Sequence, residues 1–226
     1  RKRAYRRPGP PPPLPGTSSP LTMSLRRILD RIFPVRVIRR EHAEWARRGF
    51  AAPSPPHVKR ATLLRLGLPE ATWIETGTFM GDTTALLARR ARRVHSIEPE
   101  PKLCARAKTR FASTPNVEIH GGISEEVLPG ILARLEGDVC FWLDGHYSAG
   151  VTFKGPKDTP IAEELAAIEA AAPRLGQIVV LVDDTRCFDP AKPEFADYPS
   201  KAFLIAWAER LGFSWHIEQD IFVARR

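Results

Sequence analysis

The stretch Ala71–Glu100, "ATWIETGTFMGDTTALLARRARRVHSIEPE", decides the fold. An apolar run of strand length, "ATWIE", ends in Glu75. A turn carrying Gly77 and Gly81 follows, then "DTTALLARRA" with apolar residues at helical spacing, then a second short apolar run, "VHSIE", ending in Glu98. A strand, a helix and a strand in that order make a parallel pair, because parallel neighbours need a crossover between them. Gly77 lets the backbone approach a ligand closely, and Gly81 sits where a bulky residue would block the helix start. A tight strand-to-helix turn alone would account for both glycines, and the missing G-x-G-x-x-G speaks against a dinucleotide fingerprint. Glu98 adds weight: an acid about 20 residues past the glycine turn is where a ribose diol is gripped. Together the turn and the acid favour a nucleoside ligand.

The same alternation runs on. A helix around "PKLCARAKTRFA" leads to "NVEIH", "SEEVLPGILARL" to "VCFWLD", and "PIAEELAAIEAAA" to "IVVLVDD". Strands apolar throughout and separated by helices predict an α/β fold, a parallel sheet covered by helices on both faces. The ending departs from this. Helix "SKAFLIAWAERLG" precedes "FSWHIE" and "DIFVARR", which lie so close together that they must form an antiparallel hairpin.

The 226 residues suffice for one sizeable core with appendages. The net charge of +8 divides unevenly: residues 1–60 carry +12 and residues 61–226 carry −4. Basicity belongs to the N-terminal part, which weighs against nucleic acid as substrate, since such an enzyme carries its basic face around the site. Residues 1–22 form a Pro-rich basic tail with almost nothing apolar to bury, and disorder is expected there. Residues 23–57 form a basic helical arm. In it Leu25, Ile28, Leu29, Ile32 and Phe33 fall at helical spacing until Pro34 interrupts them. The arm reads either as a surface for membranes or, more simply, as a cap on the domain or a homodimer interface. The domain proper is expected over 58–226. Three scattered cysteines, Cys104, Cys140 and Cys187, argue against a disulfide framework and fit a cytoplasmic location.

The motifs "E-T-G-T-x-x-G-D-T-T", "S-I-E-P" and "N-V-x-I-H-x-G" resemble those of the class I S-adenosylmethionine-dependent methyltransferases. The resemblance covers roughly residues 58–226 and implies a Rossmann-like sheet of order 3-2-1-4-5-7-6 with its last hairpin antiparallel. It also implies that Glu75, Gly77 and Gly81 cradle the methionine part of S-adenosyl-L-methionine, that Glu98 holds the ribose hydroxyls, and that Thr78, Asp82 and Gly122 also bind the cofactor. Such families often write "GDS" after the third strand, the acid lying near the adenine. This chain has Gly122, Ile123 and Ser124 there, so Ser124 or a backbone group is expected to substitute.

In that strand order the fourth and fifth strands are neighbours, and both end in acid: "CFWLDGHYSAG" delivers Asp144 and His146, and "IVVLVDDTR" delivers Asp183, Asp184 and Arg186. Three carboxylates meeting at the carboxyl edge repel and raise at least one pKa unless a cation offsets them. Oxygen ligands without clustered Cys or His suit a hard ion such as Mg²⁺. The pattern is similar to that of metal-dependent O-methyltransferases of sugars and small molecules. It implies Asp144, Asp183 and Asp184 as metal ligands, with Asp144 also beside the cofactor. The bland alternative is that the acid pair shapes a turn. His146 is placed to act as general base, or to make a structural hydrogen bond instead. In the polar segment that follows, Lys154 is the candidate for touching an acidic acceptor, and a solvated loop charge is its plainer reading. Arg186 is left either to that acceptor or to Asp183. A small-molecule or glycan hydroxyl is the expected acceptor, with N- or RNA-methylation and a non-catalytic binding module as alternatives.

Overall fold

A computed structural model describes residues 35–145 and 159–226. The tail, the apolar run of the arm before Pro34, His146 and Lys154 lie outside the described residues. Two helices come first, α1 (Val35–Arg47) and α2 (Pro56–Leu66). Then the chain alternates: β1 (Thr72–Thr76), α3 (Asp82–Leu87), β2 (Arg93–Glu98), α4 (Pro101–Phe111), β3 (Val117–Gly121), α5 (Ser124–Leu132), β4 (Gly137–Leu143), α6 (Ile161–Ala171) and β5 (Leu175–Val182). Helix α7 (Lys201–Arg210) and the strands β6 (Ser214–Glu218) and β7 (Ile221–Arg225) complete it.

The seven strands hydrogen-bond in the order β3-β2-β1-β4-β5-β7-β6. β1 to β5 pair in parallel, and β7 runs antiparallel to both β5 and β6. This is the order the sequence motifs implied. Gln219 and Asp220 both take positive φ in the β6–β7 turn. That is the conformation of a two-residue turn whose twist matches its strands.

Buried residues lie on both faces, as the continuous apolar strands required. Ile74, Ile97, Phe141 and Val180 pack against Leu128, Ile131, Leu165 and Ile168 of α5 and α6 on one side. Trp73, Val94, Trp142 and Leu181 pack against Leu63 and Leu66 of α2 and Leu87 of α3 on the other. Burying one such side chain contributes roughly 1.5–3 kcal/mol. Helix α2 is therefore part of the sandwich rather than an appendage, and it spans the boundary read between residues 57 and 58. Its neighbour α1 buries Trp45, whose ring meets Phe50 edge-on with centroids 5.0 Å apart. The N-terminal segment also reaches the last hairpin: Ser54 Oγ donates to Gln219 Oε1 at 3.2 Å, and Arg65 pairs with Glu218 at 2.6 Å.

Candidate active site

The carboxyl ends of β1, β2, β4 and β5 form one edge, and they meet through their backbones. Asp144 N donates to Thr76 O at 3.2 Å, Asp183 N to Leu143 O at 3.0 Å, and Gly77 N to Ile97 O at 2.9 Å. Short loops leave each strand end where its neighbour's loop begins, so Glu75, Glu98, Asp144 and Asp183 share this edge.

Glu75 is wholly buried. Its Oε2 accepts from Ser96 Oγ at 2.6 Å and from Thr84 Oγ1, while its Oε1 has no hydrogen-bond partner among the described residues. Burial pushes this carboxyl up to about 7, against the pull of the two hydroxyls and of Arg60. Glu98 is also buried. It is held by two backbone amides: Phe79 N donates to Oε2 at 2.7 Å and Glu100 N to Oε1 at 3.0 Å. Each oxygen keeps a lone pair for a further donor. The bond from Phe79 locks the β1–α3 turn onto β2, with Phe79 at φ +48° and its ring half exposed.

Other turn residues act differently from expectation. Gly77 has φ +84°, and a Cβ there would stand 2.5 Å from the Asp144 carbonyl oxygen. The close approach it permits is to the loop after β4, so packing explains this glycine before any ligand does. A Cβ on Gly81 would meet the Phe111 ring at 2.8 Å. Thr78 turns its hydroxyl to Ser96 Oγ at 2.6 Å, and Asp82 lies at the surface beside Arg110 at 2.9 Å. Gly122 donates its N–H to the Glu98 carbonyl at 3.2 Å. Ser124 is buried, and its hydroxyl serves Glu164, which also accepts from Thr76. Glu164 went unnoticed in the sequence because an acid in a helix's first turn is explained by the helix dipole. It is 1% exposed, and burial lifts it to about 7.

The acids at the end of β5 already have cations. Lys59 of α2 places its Nζ 2.5 Å from Asp183 Oδ1 and against Asp184 Oδ1, with Asp220 Oδ2 at 4.0 Å. Arg186 grips Asp184 and Asp220 together. Its ion-pair partners among the described residues are thus Asp184 and Asp220, not the Asp183 considered above. Asp220 further accepts from Thr185 Oγ1 at 3.0 Å and Arg186 N at 2.9 Å. The ammonium of Lys59 thus stands between Asp183 and Asp184, where a metal ion was expected. Asp183 is still held well above the usual carboxylate range by burial and by Asp144, with Lys59 opposing both. Lys59 itself is raised by its two acids against the cost of burial. Asp184 sits at φ +55°, so the acid pair also shapes the turn.

Arg60, the next residue of α2, faces the other way. Its Nε donates to Thr83 Oγ1 at 3.1 Å, and its charge acts on Asp82, Glu75 and Asp144. One turn of one helix therefore supplies a cation to each half of the edge.

The strand order decides the matter of architecture. The fold is that of the class I methyltransferases. No family model matches the chain, and no curated protein matches it. Among solved structures it is similar to the N-methyltransferase NodS from Bradyrhizobium japonicum WM9 bound to S-adenosyl-L-homocysteine, at 17% identity and TM-score 0.48 over 90% of this chain and 95% of that one. It is also similar to an rRNA methylase from Streptococcus thermophilus, at 17% identity and TM-score 0.43 over 77% of this chain and 96% of that one. A third is a precorrin-6y C5,15-methyltransferase from Geobacter metallireducens GS-15, at 14% identity and TM-score 0.47 over 77% of this chain and 92% of that one. All three likenesses are distant, and the strand order is read from this chain's own hydrogen bonds. No helix among the described residues is long and apolar enough to cross a membrane.

Proposed function

We propose that this chain is an S-adenosylmethionine-dependent methyltransferase acting on a hydroxyl of a small molecule or glycan. One observation carries the reading: Glu75, wholly buried beneath the β1–α3 turn, keeps an oxygen without a hydrogen-bond partner among the described residues. A buried carboxylate oxygen left unpaired is costly, and an ammonium group satisfies it. The methionine part of the cofactor brings an ammonium. Glu98, one strand away and fixed by two amides, accepts further hydroxyl donors and suits a ribose diol. Arg60 is the cation on that side of the edge and suits the methionine carboxylate.

The bound cofactor supplies a methyl group on a sulfonium, open to in-line displacement. What remains for the protein is to position the acceptor and manage its proton. His146 and Lys154 keep the roles proposed for them, base and acceptor contact. Lys59 takes the place of the divalent ion, holding Asp183 and Asp184 as paired acids at the acceptor side. Transfer is therefore read as independent of Mg²⁺.

S-adenosylhomocysteine should bind in calorimetry, and Glu98→Ala should weaken it by the ~1.5–3 kcal/mol of a charged hydrogen bond, about ten- to a hundredfold. No binding by the wild-type protein would end the reading. Millimolar Mg²⁺ should leave the melting temperature unchanged. A rise that disappears in Asp184→Asn would return the acids to a metal.

A further inference from the structure

Midway along β2 and toward the end of β3, outside the proposed cofactor contacts, lies a group of side chains that methyl transfer does not use. His95 is the third residue of β2, and Glu118 and His120 are the second and fourth of β3. Parallel pairing sets His95 opposite Glu118 and Ile97 opposite His120. Side chains alternate across a strand, so all three project from one face. That is the face where Ile97 and Ile131 belong to the core. Two imidazoles and a carboxylate on a core-facing surface need an explanation.

One nitrogen or oxygen atom from each residue lies within 4.8 Å of the other two. His95 Nδ1 is 3.0 Å from His120 Nε2 and 3.6 Å from Glu118 Oε2, and His120 Nε2 is 3.7 Å from Glu118 Oε1. The bland account is one hydrogen bond between two neutral imidazoles. It leaves the Glu118 carboxylate, near both rings, beyond hydrogen-bond reach of either. A single ion accounts for the convergence. Ligands ~2.0–2.2 Å from a tetrahedral zinc lie about 3.3–3.6 Å apart, so an ion would part the two rings slightly and draw one Glu118 oxygen toward both. Octahedral geometry would bring them closer, to about 3.0 Å, so an ion of tetrahedral preference fits better.

We propose that His95, Glu118 and His120 form a zinc site clamping the edge strand β3 to β2. His95 contributes Nδ1, His120 Nε2 and Glu118 one carboxylate oxygen, and water takes the fourth position. His95 and Glu118 also line a cavity of about 560 Å³ together with Thr72, Arg92, Arg93 and Arg134. Arg93, 3.8 Å from Glu118, competes for the carboxylate and keeps the affinity moderate. The site stands whether or not the chain transfers methyl groups.

The test uses the full chain stripped of metal and titrated with Zn²⁺ against a chromogenic chelator. One equivalent should bind, with a rise in melting temperature, and Co²⁺ in its place should give the visible absorption of a tetrahedral site. His120→Asn and Glu118→Gln are the variants of choice, because both positions are more exposed than His95. Each should lose at least ~100-fold in Zn²⁺ affinity, above the loss typical of an outer-shell partner, with an unchanged far-ultraviolet spectrum. Absence of stoichiometric binding would overturn the proposal. So would binding that both variants retain, which would place the metal elsewhere.

Discussion

Two groups of buried acids share the carboxyl edge of the sheet, and they are finished differently. Asp183, Asp184 and Asp220 meet Lys59 and Arg186, and their charge is answered within the protein. Among the described residues, Glu75 hydrogen-bonds only to hydroxyls and keeps an oxygen without a partner. A buried acid with its cation in place is part of the framework, whereas one left short is waiting for something from outside. The two groups look alike in the sequence, as strands ending in acid. Only the partners tell them apart.

The largest expected effect tests the saturated group. Lys59→Met removes the ammonium from between Asp183 and Asp184 and should destabilise the protein by ~3–5 kcal/mol in chemical denaturation, as for breaking one side of a buried pair. Adding Asp183→Asn should recover much of that loss. A near-neutral single variant would mean that these acids are not ionised, and the contrast with Glu75 would collapse.

The next tests the unsaturated group through pH. Burial pushes both Glu75 and Glu164 up to about 7 from 4.5. Their folded pKa values lie above the unfolded ones, so the stability they contribute is complete below ~4.5 and is lost as pH rises through ~7. Stability in chemical denaturation should fall from pH 5 to pH 8 by at most roughly 3 kcal/mol per group. Affinity for S-adenosylhomocysteine should rise over the same window, because its ammonium pairs with ionised Glu75. Glu75→Gln should flatten the affinity profile. A profile unchanged by that substitution would take the ammonium away from Glu75.

The smallest effect marks the rim. Asp82 and Arg110 pair at 2.9 Å at the surface. Asp82→Asn should change stability by less than ~1 kcal/mol. It should also leave cofactor affinity nearly intact, because the carboxylate is turned to Arg110. A tenfold loss of affinity would restore Asp82 to the cofactor site.

The fold was legible because its signals are local. Apolar runs of strand length, helical spacing between them and the closely set β6 and β7 fix a parallel sheet with an antiparallel end. The acids were legible as strand-terminal residues, and their neighbourhood followed once the strand order was known. Their counter-charges were not. "HVKRAT" in α2 reads as a solvated basic helix, and nothing nearby announces that Lys59 meets residues of β5 or that Arg60 faces β1. Ser124 looked like a stand-in for an adenine contact until Glu164 took its hydroxyl. His95, Glu118 and His120 are split between two strands, at spacings that match no metal motif. Periodicity shows which face a residue occupies and leaves unsaid which distant residue it will meet.

The pairing of Lys59 with Asp184 spans 125 residues of chain. During synthesis α2 is made first and β5 follows only on the order of ten seconds later. Through that interval the lysine remains hydrated, and the face of α2 that packs on the sheet lacks β5. Contacts so far apart in sequence slow folding, because loop closure comes before any gain. The β5 side of the edge is therefore among the last parts to assemble, and a nascent chain that stops short of β5 cannot complete it.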